Sequence, residues 1–525
     1  MKTRCPDIVT VYTEEGINPD AVSVNFEETK KSLKVFVNSE AIPVRFVKLR
    51  WNFQSQEIRK GKAISVLGDD WERGYGTLEW RGVFPERCMP WYCMVADNCG
   101  GDMFTECFGV AARPNSLCFW QYDTKGVILW LDIRSGGEGV SLGGRVLLAC
   151  EVIFREYTGI TAYKAGEAFC REMSPEPRKV NSPVYGSNNW YYAYGMFTRE
   201  EVISDAKQLM KLCAGNQNKP FMVIDDGWQT FNCDGPWETK DGFGSLRGLA
   251  EDIALTGAKP GIWFRPLADT RSLTSLTSRC HRSGREEGYL DPTHPEVLEY
   301  VGEIVRRLVD DGFGLIKHDY TTRDIFGDWG CFCPRTLTKD GWRFYNNKIT
   351  SAEAVNNLYS AIREGAGDAV IIGCNTLSHS SAGVFELNRT GDDTSGFNWD
   401  RTRKFGVNTL AFRGFQHKSF YECDADCVGI TGEIPWELNR EWLRLLSHSG
   451  TPLFVSAKPG VCDSGQLSEL EEAYACASKQ NYTCEPLDWL YNAYPERYLI
   501  NGGEESFNWY DQNPIIVFDP SGKID

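Results

Sequence analysis

The sequence predicts an α/β fold, a (β/α)₈ TIM barrel flanked by an N-terminal β-sandwich and a small C-terminal β-domain. Up to about residue 170, short apolar or alternating runs are separated by turn residues. From residues 177–183 onward, strand-like runs alternate with helical ones, about eight times in ~275 residues, which is the size and rhythm of such a barrel. Short strands and aromatic residues return after about residue 457. We therefore expect domains at residues 1–175, 176–456 and 457–525.

Period-two alternation and β-branched residues justify the strands of the N-terminal domain. Helical periods are scarce in this part of the chain, which favours a sandwich of two sheets. The predicted strands lie at residues 22–26, 33–37, 44–53, 127–133 and 146–154.

In the central region, capping boxes mark two helix starts, Thr198 with Glu201 and Thr350 with Glu353. Apolar residues at helical spacing predict a further helix over residues 295–308. A doubly wound sheet is the alternative, but no GxGxxG string opens a helix. The eight barrel strands are expected at residues 184–194, 221–224, 261–264, 314–316, 370–372, 384–387, near 420 and at 453–455, and two C-terminal strands at 498–500 and 515–518.

The excess of acidic side chains limits the classes of molecule that this protein is expected to bind. The 525 residues include 56 basic and 72 acidic side chains, a net charge of −16, which argues against a nucleic acid or an anionic membrane as partner.

Neither a secretory leader nor an apolar run of about 18 residues is present, so we expect no membrane span. The 19 scattered cysteines predict a reducing, cytoplasmic setting. Aromatic residues make up 13% of the chain, which suits sugar binding and a large aromatic core equally.

Acidic residues follow several of the predicted barrel strands, at the end where barrel enzymes carry their active sites. Crowded carboxylates repel each other, so one can stay ionised while another stays protonated. Glycoside hydrolysis requires this division between a nucleophile and an acid. A single such Asp is often only a helix N-cap, but a converging set is harder to explain in that way. The set comprises Asp225 and Asp226 after strand two, Lys317 and Asp319 after strand four, and Arg389, Asp392 and Asp393 after strand six.

Lys317 precedes Asp319 by two residues and so shares its strand face. It is expected to help keep Asp319 ionised or to bind a sugar hydroxyl. A plain Lys–Asp ion pair is the structural alternative.

These strings resemble those of the clan D α-glycosidases, which include glycoside hydrolase family 36 (α-galactosidases and raffinose-synthase-like enzymes) and family 27. The resemblance covers about residues 184–456. It is carried by VIDDGWQ, LIKHDY and RTGDD, with support from GSNNWYYAYG, GIWFRP, GYLDPTHPEV and GTPLFVS.

The resemblance implies a retaining double displacement on a terminal α-linked sugar. Asp319 would be the nucleophile and Asp392 the general acid and then base. Four residues would bind sugar hydroxyls, and three tryptophans would be ring platforms or, equally, core residues. The hydroxyl binders are Asp225, Asp226, Lys317 and Arg389, and the tryptophans are Trp190, Trp228 and Trp263.

The sequence departs from the family pattern at three places that bear on the sugar. Arg265 replaces a Glu after strand three, where it could bind the carboxylate of an acidic sugar or neutralise Asp226. His318 stands where an aromatic residue is usual. Cys374 and Asn375 stand where related enzymes discriminate the substituent at the second sugar carbon.

Four functions are therefore compared. The first is a retaining exo-α-glycosidase, α-galactosidase-like. The others are an α-glycosyl transglycosylase of the raffinose-synthase type, a non-catalytic carbohydrate-binding barrel, and a metal enzyme using the Asp cluster. The six histidines show no ligand spacing, so no metal and no cofactor are expected. The expected partner is an oligosaccharide or glycoside, and a homo-oligomer is left open.

Overall fold

The computed structural model describes residues 4–54, 64–97, 103–269, 273–282, 285–479 and 481–511. Its N-terminal part contains two antiparallel sheets, one ordered β1-β4-β10-β9-β6 and the other β2-β3-β11-β8-β7-β5. The strands, followed by one helix, are β1 (Ile8–Thr13), β2 (Val22–Glu28), β3 (Leu33–Ser39), β4 (Val44–Asn52), β5 (Ile64–Gly68), β6 (Met89–Pro90), β7 (Tyr92–Asp97), β8 (Phe104–Val110), β9 (Leu117–Asp123), β10 (Gly126–Asp132), β11 (Leu147–Thr158) and α1 (Ala162–Met173).

Aromatic side chains from both sheets fill the space between them. Trp51 of β4 and Trp120 of β9 lie on one sheet, and Phe154 of β11 lies on the other. The Phe154 ring lies 5.1 Å from Trp51 and 5.9 Å from Trp120. These inward-facing rings bury large apolar areas, so the β-sandwich predicted from the alternating pattern is confirmed.

The central region is the predicted barrel. Its parallel sheet runs β22-β21-β20-β19-β16-β13-β12-β24-β23. Its elements are β12 (Tyr185–Asn188), α2 (Trp190–Ala193), α3 (Arg199–Leu212), β13 (Phe221–Ile224), β14 (Gln229–Phe231), β15 (Asp234–Thr239), α4 (Leu246–Thr256), β16 (Lys259–Phe264), β17 (Thr277–Arg282), β18 (Arg285–Leu290), α5 (Pro295–Asp310), β19 (Leu315–His318), α6 (Thr321–Phe326), α7 (Ser351–Ala366), β20 (Val370–Gly373), α8 (Ser378–Ser381), β21 (Leu387–Arg389), α9 (Trp399–Arg401), α10 (Thr409–Arg413), β22 (Glu422–Asp424), β23 (Cys427–Ile430), α11 (Trp436–His448), β24 (Leu453–Ala457) and α12 (Ser464–Ala477).

The two ends of this sheet are consecutive in the chain. β22 pairs with β21 and β23 pairs with β24, and only Ala425 and Asp426 separate them. Asp426 has a left-handed backbone with φ of 71°, which interrupts the strand. The stretch 422–430 therefore acts as strand seven and closes the barrel.

Both predicted capping boxes are present. Thr198 opens α3 and Thr350 opens α7, each accepting a hydrogen bond from the backbone N–H of the Glu three residues on. Strand six differs from its prediction: it was expected at residues 384–387 but lies at Leu387–Arg389. The apolar residues before it instead follow the short helix α8 and pack into the core.

The C-terminal part begins with a helix that the sequence analysis did not predict. α12 packs against α3 and α11, as the eighth barrel helix would. It is followed by a three-stranded antiparallel sheet, whose middle strand was predicted near residues 498–500. The strand predicted at residues 515–518 lies outside the described residues. The three strands are β25 (Cys484–Pro486), β26 (Arg497–Ile500) and β27 (Gly503–Ser506).

A segment of the N-terminal domain, residues 69–78, reaches the barrel; we call it the docking segment. The Gly74 N–H donates to the carbonyl of Thr390 (2.8 Å), and the Asp392 N–H donates to the Gly74 carbonyl (2.9 Å). Asp69 forms a buried ion pair with Arg413 of α10 at 2.7 Å. The β-sandwich is therefore bonded directly to the loop that follows strand six.

Among the residues that the structure describes, no helix combines the length and apolar character needed to cross a bilayer.

Glu422 predicts a pH dependence of stability. Burial raises its pKa to about 7, against an ordinary value of 4.5, although the Lys418 charge opposes the shift. Because the folded state binds this proton more tightly than the unfolded chain, its contribution to stability is lost as pH rises from the ordinary value towards 7.

We compare the unfolding free energy of Glu422→Gln with that of the parent at two pH values. The difference, variant minus parent, should be larger at about pH 8 than at about pH 5, by up to about 3 kcal/mol. Thermal or urea unfolding at both pH values measures this difference. The exposed Glu433 supplies the control Glu433→Gln. An equal effect of Glu422→Gln at the two pH values would contradict the prediction.

Candidate active site

Asp319 follows β19 at the mouth of the barrel and is 9% exposed. Its Oδ1 accepts a hydrogen bond from the Tyr320 N–H (2.7 Å), and Trp263 Nε1 lies 3.5 Å from its Oδ2. Tyr320 has a left-handed backbone with φ of 65°, an unfavourable conformation for a bulky residue that recurs at functional sites. The turn after strand four thus fixes this carboxylate.

Asp225 and Lys317 form a buried ion pair next to Asp319. Lys317 Nζ and Asn188 Nδ2 both donate to Asp225 Oδ2 at 2.7 Å. The Asp225 N–H donates in turn to Asn189 Oδ1 (2.9 Å). Lys317 therefore contacts Asp225, and its effect on Asp319 is through its charge rather than through direct contact.

Asp226 lies beside this pair but has other partners. It accepts hydrogen bonds from the Cys233 N–H (3.0 Å), the Cys233 thiol (2.9 Å) and the Gln229 amide. Arg265 does not neutralise it, contrary to one expectation. Arg265 instead forms a two-pronged pair with Asp324 (2.8 and 2.6 Å), and its remaining terminal nitrogen donates to the Cys233 carbonyl (3.1 Å), so each of its nitrogens has a protein partner.

The loop after strand six, residues 389–394, carries two adjacent carboxylates. Arg389 braces it by donating to the Asp392 carbonyl (2.9 Å) and to Asp426 Oδ2 (2.8 Å). Asp426 also accepts from the backbone N–H of Thr394 (2.9 Å) and from the Tyr191 hydroxyl. Asp426 thus supports the loop through these hydrogen bonds.

Arg73 of the docking segment lies beside both carboxylates. Its Nη2 is 2.7 Å from Asp392 Oδ1, and its Nη1 is 3.5 Å from Asp393 Oδ1. The side chain of Asp392 is 18% exposed and that of Asp393 is 36% exposed, so Asp393 is the more open of the two.

The charges around these carboxylates set their pKa values. Burial raises the pKa of Asp319, and the negative charge of Asp393 adds to this, while Arg73 and Lys317 oppose it. Burial also disfavours the ionised form of Asp393, but the surrounding cations outweigh it and lower its pKa; they are Arg73, Arg389, Lys317 and Arg401. The surroundings therefore shift the pKa values of the two carboxyl groups in opposite directions.

The two acids of the loop differ in their relation to Asp319. The negative charge of Asp393 raises the pKa of Asp319. Asp392 is held instead by Arg73, with Arg401 at 3.7 Å. The sequence analysis assigned the acid role to Asp392, but the close ion pair of Asp392 with Arg73 and the greater exposure of Asp393 make Asp393 the better candidate.

The three candidate tryptophans have different positions. Trp263 reaches Asp319, as described above. Trp228 is fully buried, donates to the Trp263 carbonyl (2.8 Å) and packs on Trp237, so it supports the site without reaching its surface. Trp190 is half-buried and packs on Tyr194 at the rim.

Cys374 and Asn375 after strand five also have different positions. The Cys374 thiol is buried and accepts a hydrogen bond from Arg389 (3.3 Å), so it contacts a side chain that braces the loop after strand six. Asn375 is fully buried, and its amide is used by the backbone N–H of Arg323 (3.0 Å) and by Glu72. Asn375 is therefore a brace, which corrects the expected sugar contact.

His318 takes the place of an aromatic residue in its packing. It is fully buried with its ring 4.8 Å from Phe385, and burial lowers its pKa to about 3, so it is uncharged at neutral pH.

Sequence reasoning missed Arg73, Glu72 and Tyr191. Arg73 and Glu72 belong to another domain, and no strand-end rule points to them. Tyr191 follows the candidate Trp190 in the string GSNNWYYAYG, so the motif contained a signal for it. No group of three or more metal-ligating side chains capable of holding an ion occurs within the described ranges.

No protein-family model matches the sequence. Solved structures are similar over nearly the whole chain. An α-galactosidase from Thermus thermophilus, in complex with p-nitrophenyl α-D-galactopyranoside, superposes with a TM-score of 0.63 at 16% identity, covering 95% of this chain and 98% of its own. A variant of the family 36 α-galactosidase AgaA from Geobacillus stearothermophilus, in complex with 1-deoxygalactonojirimycin, gives 0.61 at 12% identity, covering 94% and 79%.

The galactosidase domain of an α-galactosidase–sucrose kinase, AgaSK, gives a TM-score of 0.59 at 13% identity, covering 93% of this chain and 77% of its own. The chain therefore has the fold of the glycoside hydrolase family 36 α-galactosidases.

Proposed function

We propose that this protein is a retaining exo-α-glycosidase that acts on terminal α-galactosides. The observation that carries the proposal is the placement of Asp319 and Asp393 after strands four and six, at the mouth of a barrel whose fold matches α-galactosidases. The ion pair of Asp225 with Lys317 lies beside them and supplies groups that can bind the hydroxyls of one sugar ring.

The reaction would have two steps. Asp319 attacks the anomeric carbon while Asp393 gives its proton to the leaving oxygen, and a covalent glycosyl ester forms on Asp319. Asp393 then removes a proton from water, which attacks the same carbon and releases the sugar with its original configuration. Asp392 is not given a proton-transfer role, because Arg73 holds it in a close ion pair.

The charge distribution adds a condition to this mechanism. The reaction needs an ionised Asp319 and a protonated Asp393, but burial raises the pKa of Asp319 and the surrounding cations lower the pKa of Asp393. The plot of kcat/KM against pH is still bell-shaped, because its limbs report the macroscopic pKa values of the pair.

Hydrolysis of a panel of aryl α-glycosides tests the proposal. We expect the α-galactoside to be the best substrate and proton NMR to show α-galactose as the first product. First appearance of β-galactose would contradict retention. The absence of hydrolysis of every sugar in the panel would favour the carbohydrate-binding alternative.

An aromatic cluster at the rim favours transglycosylation as a second activity. Trp190, Tyr194 and Phe397 form a continuous group, with ring centroids 5.2 and 5.8 Å apart. Tyr194 is 43% exposed and Phe397 is 51% exposed, and the Asp393 charge acts on Tyr194. An exposed aromatic surface near the acid can hold a sugar in place of water as acceptor.

We expect Phe397→Ala to lower the ratio of transfer to hydrolysis severalfold when a sugar acceptor is added. Chromatographic separation of the products measures this ratio. Phe84, exposed on the N-terminal domain, provides the control Phe84→Ala. An unchanged ratio in Phe397→Ala would remove the support that the cluster gives to transglycosylation.

A further inference from the structure

One side chain at the active site comes from outside the barrel. Arg73 belongs to the docking segment of the N-terminal domain, yet it is buried at the mouth, 4% exposed. Its guanidinium lies 4.7 Å from the centroid of the Trp329 ring and contacts Asp392 and Asp393 at the distances given above. A cation in this position affects both acids that follow strand six.

The backbone on either side of Arg73 is fixed by the barrel. Glu72 accepts a hydrogen bond from the Gly330 N–H (2.9 Å) and another from Asn375. Gly74 is bonded on both sides to the loop after strand six, and a Cβ at this glycine would lie 2.9 Å from Thr409. Because its neighbours are held this closely, the guanidinium has a defined position relative to the two carboxylates.

The contacts of Arg73 distinguish two acids that are adjacent in sequence. The Asp392 carboxylate makes the closer ion pair, and its own backbone N–H bonds to the residue after Arg73. Asp393 is farther from Arg73 and more exposed. The other charged or titratable groups around Asp393 are Asp319, Arg389, Lys317, Arg401, Tyr191, Tyr194 and Tyr320.

We propose that Arg73 is a positioning residue, through which the N-terminal domain completes the active site. It holds Asp392 in an ion pair and so leaves Asp393 as the acid that serves Asp319. The inference rests on the proposed glycosidase function and adds that the barrel alone is not a complete enzyme.

The test compares the pH profile of kcat/KM in the parent and in Arg73→Ala. We expect kcat/KM at the optimum to fall by roughly 10–1,000-fold, because an oriented charge at the acid is lost. Both limbs should also move to higher pH, by about one unit, since an Arg beside a carboxyl lowers its pKa. A merely structural role would lower activity without moving the limbs.

Arg73→Lys keeps a positive charge but not the two-pronged contact, so we expect a smaller shift in the same direction. Guanidinium added to Arg73→Ala should restore part of the lost activity by refilling the site. Arg81 lies in the same domain, and its exposed side chain forms an ion pair with Glu79 at 2.6 Å, so it supplies the control Arg81→Ala.

The outcomes separate the two proposals. A parent protein without hydrolytic activity defeats the proposed function. Circular dichroism checks that Arg73→Ala is folded. If the parent is active and the folded variant shows neither a shift of the limbs of the pH profile nor rescue by guanidinium, the role of Arg73 is overturned. If Arg73→Ala does not fold, an Arg73→Lys variant with the parent's profile and parent activity overturns it as well.

Discussion

Replacing Asp319 by Gly is expected to reduce hydrolysis of an aryl α-galactoside by on the order of 10⁴–10⁶-fold, as removal of a nucleophile does in other enzymes with covalent intermediates. Without this carboxylate no glycosyl ester can form. The space left at its position opens the same face of the sugar to a small anion. Azide added to Asp319→Gly should therefore restore turnover and produce β-galactosyl azide, the inverted product.

The control for this experiment is Asp328→Gly. Asp328 lies in the same region of the chain, after α6, and pairs with Lys339. We expect it to retain activity and to form no azide product. Substantial hydrolysis by Asp319→Gly in the absence of azide would show that another group is the nucleophile.

Replacing Asp393 by Ala is expected to have the second largest effect, and one that depends on the leaving group. A substrate whose leaving oxygen needs a proton, such as an oligosaccharide, should lose about 10²–10⁴-fold in kcat/KM, the usual contribution of general acid catalysis. An activated aryl or fluoride leaving group departs without that proton and should lose much less in the first step. Azide should here give α-galactosyl azide, because it attacks the ester on Asp319.

Asp392→Ala is the matched variant, since it removes the adjacent carboxylate from the same loop. We expect it to lower kcat/KM for both kinds of substrate to a similar degree, through the altered position of Arg73. If Asp392→Ala instead shows the leaving-group dependence and Asp393→Ala does not, the acid is Asp392, as the sequence motif first indicated.

Local sequence patterns predicted most of the barrel, because they reflect interactions between residues that are close in the chain. The capping boxes at Thr198 and Thr350 identified two helix starts, since the cap hydrogen bonds involve residues only three positions apart. Strand seven could not be located in the same way. Its break at Asp426 depends on the closure of the barrel and on the side chains that Asp426 supports from a neighbouring strand.

The rule that functional residues follow barrel strands brought Asp225, Lys317, Asp319 and Arg389 into one site. It could not show which neighbouring partner each would choose. Arg265 pairs with Asp324, which is 59 positions away in the chain, rather than with Asp226. The rule could not identify Arg73, because this residue lies in another domain. Its ion pairs with the two carboxylates depend on how the two domains pack.

The central claim is that Asp319 carries the sugar during the reaction. A fluorinated galactosyl fluoride that forms the ester quickly and releases it slowly tests this claim directly, by mass spectrometry of the intact protein and of its peptides. The account predicts one added sugar per chain, on the peptide that contains LIKHDY, at Asp319. A sugar attached to Asp392 or Asp393, or turnover of the reagent with no adduct on any peptide, would contradict it.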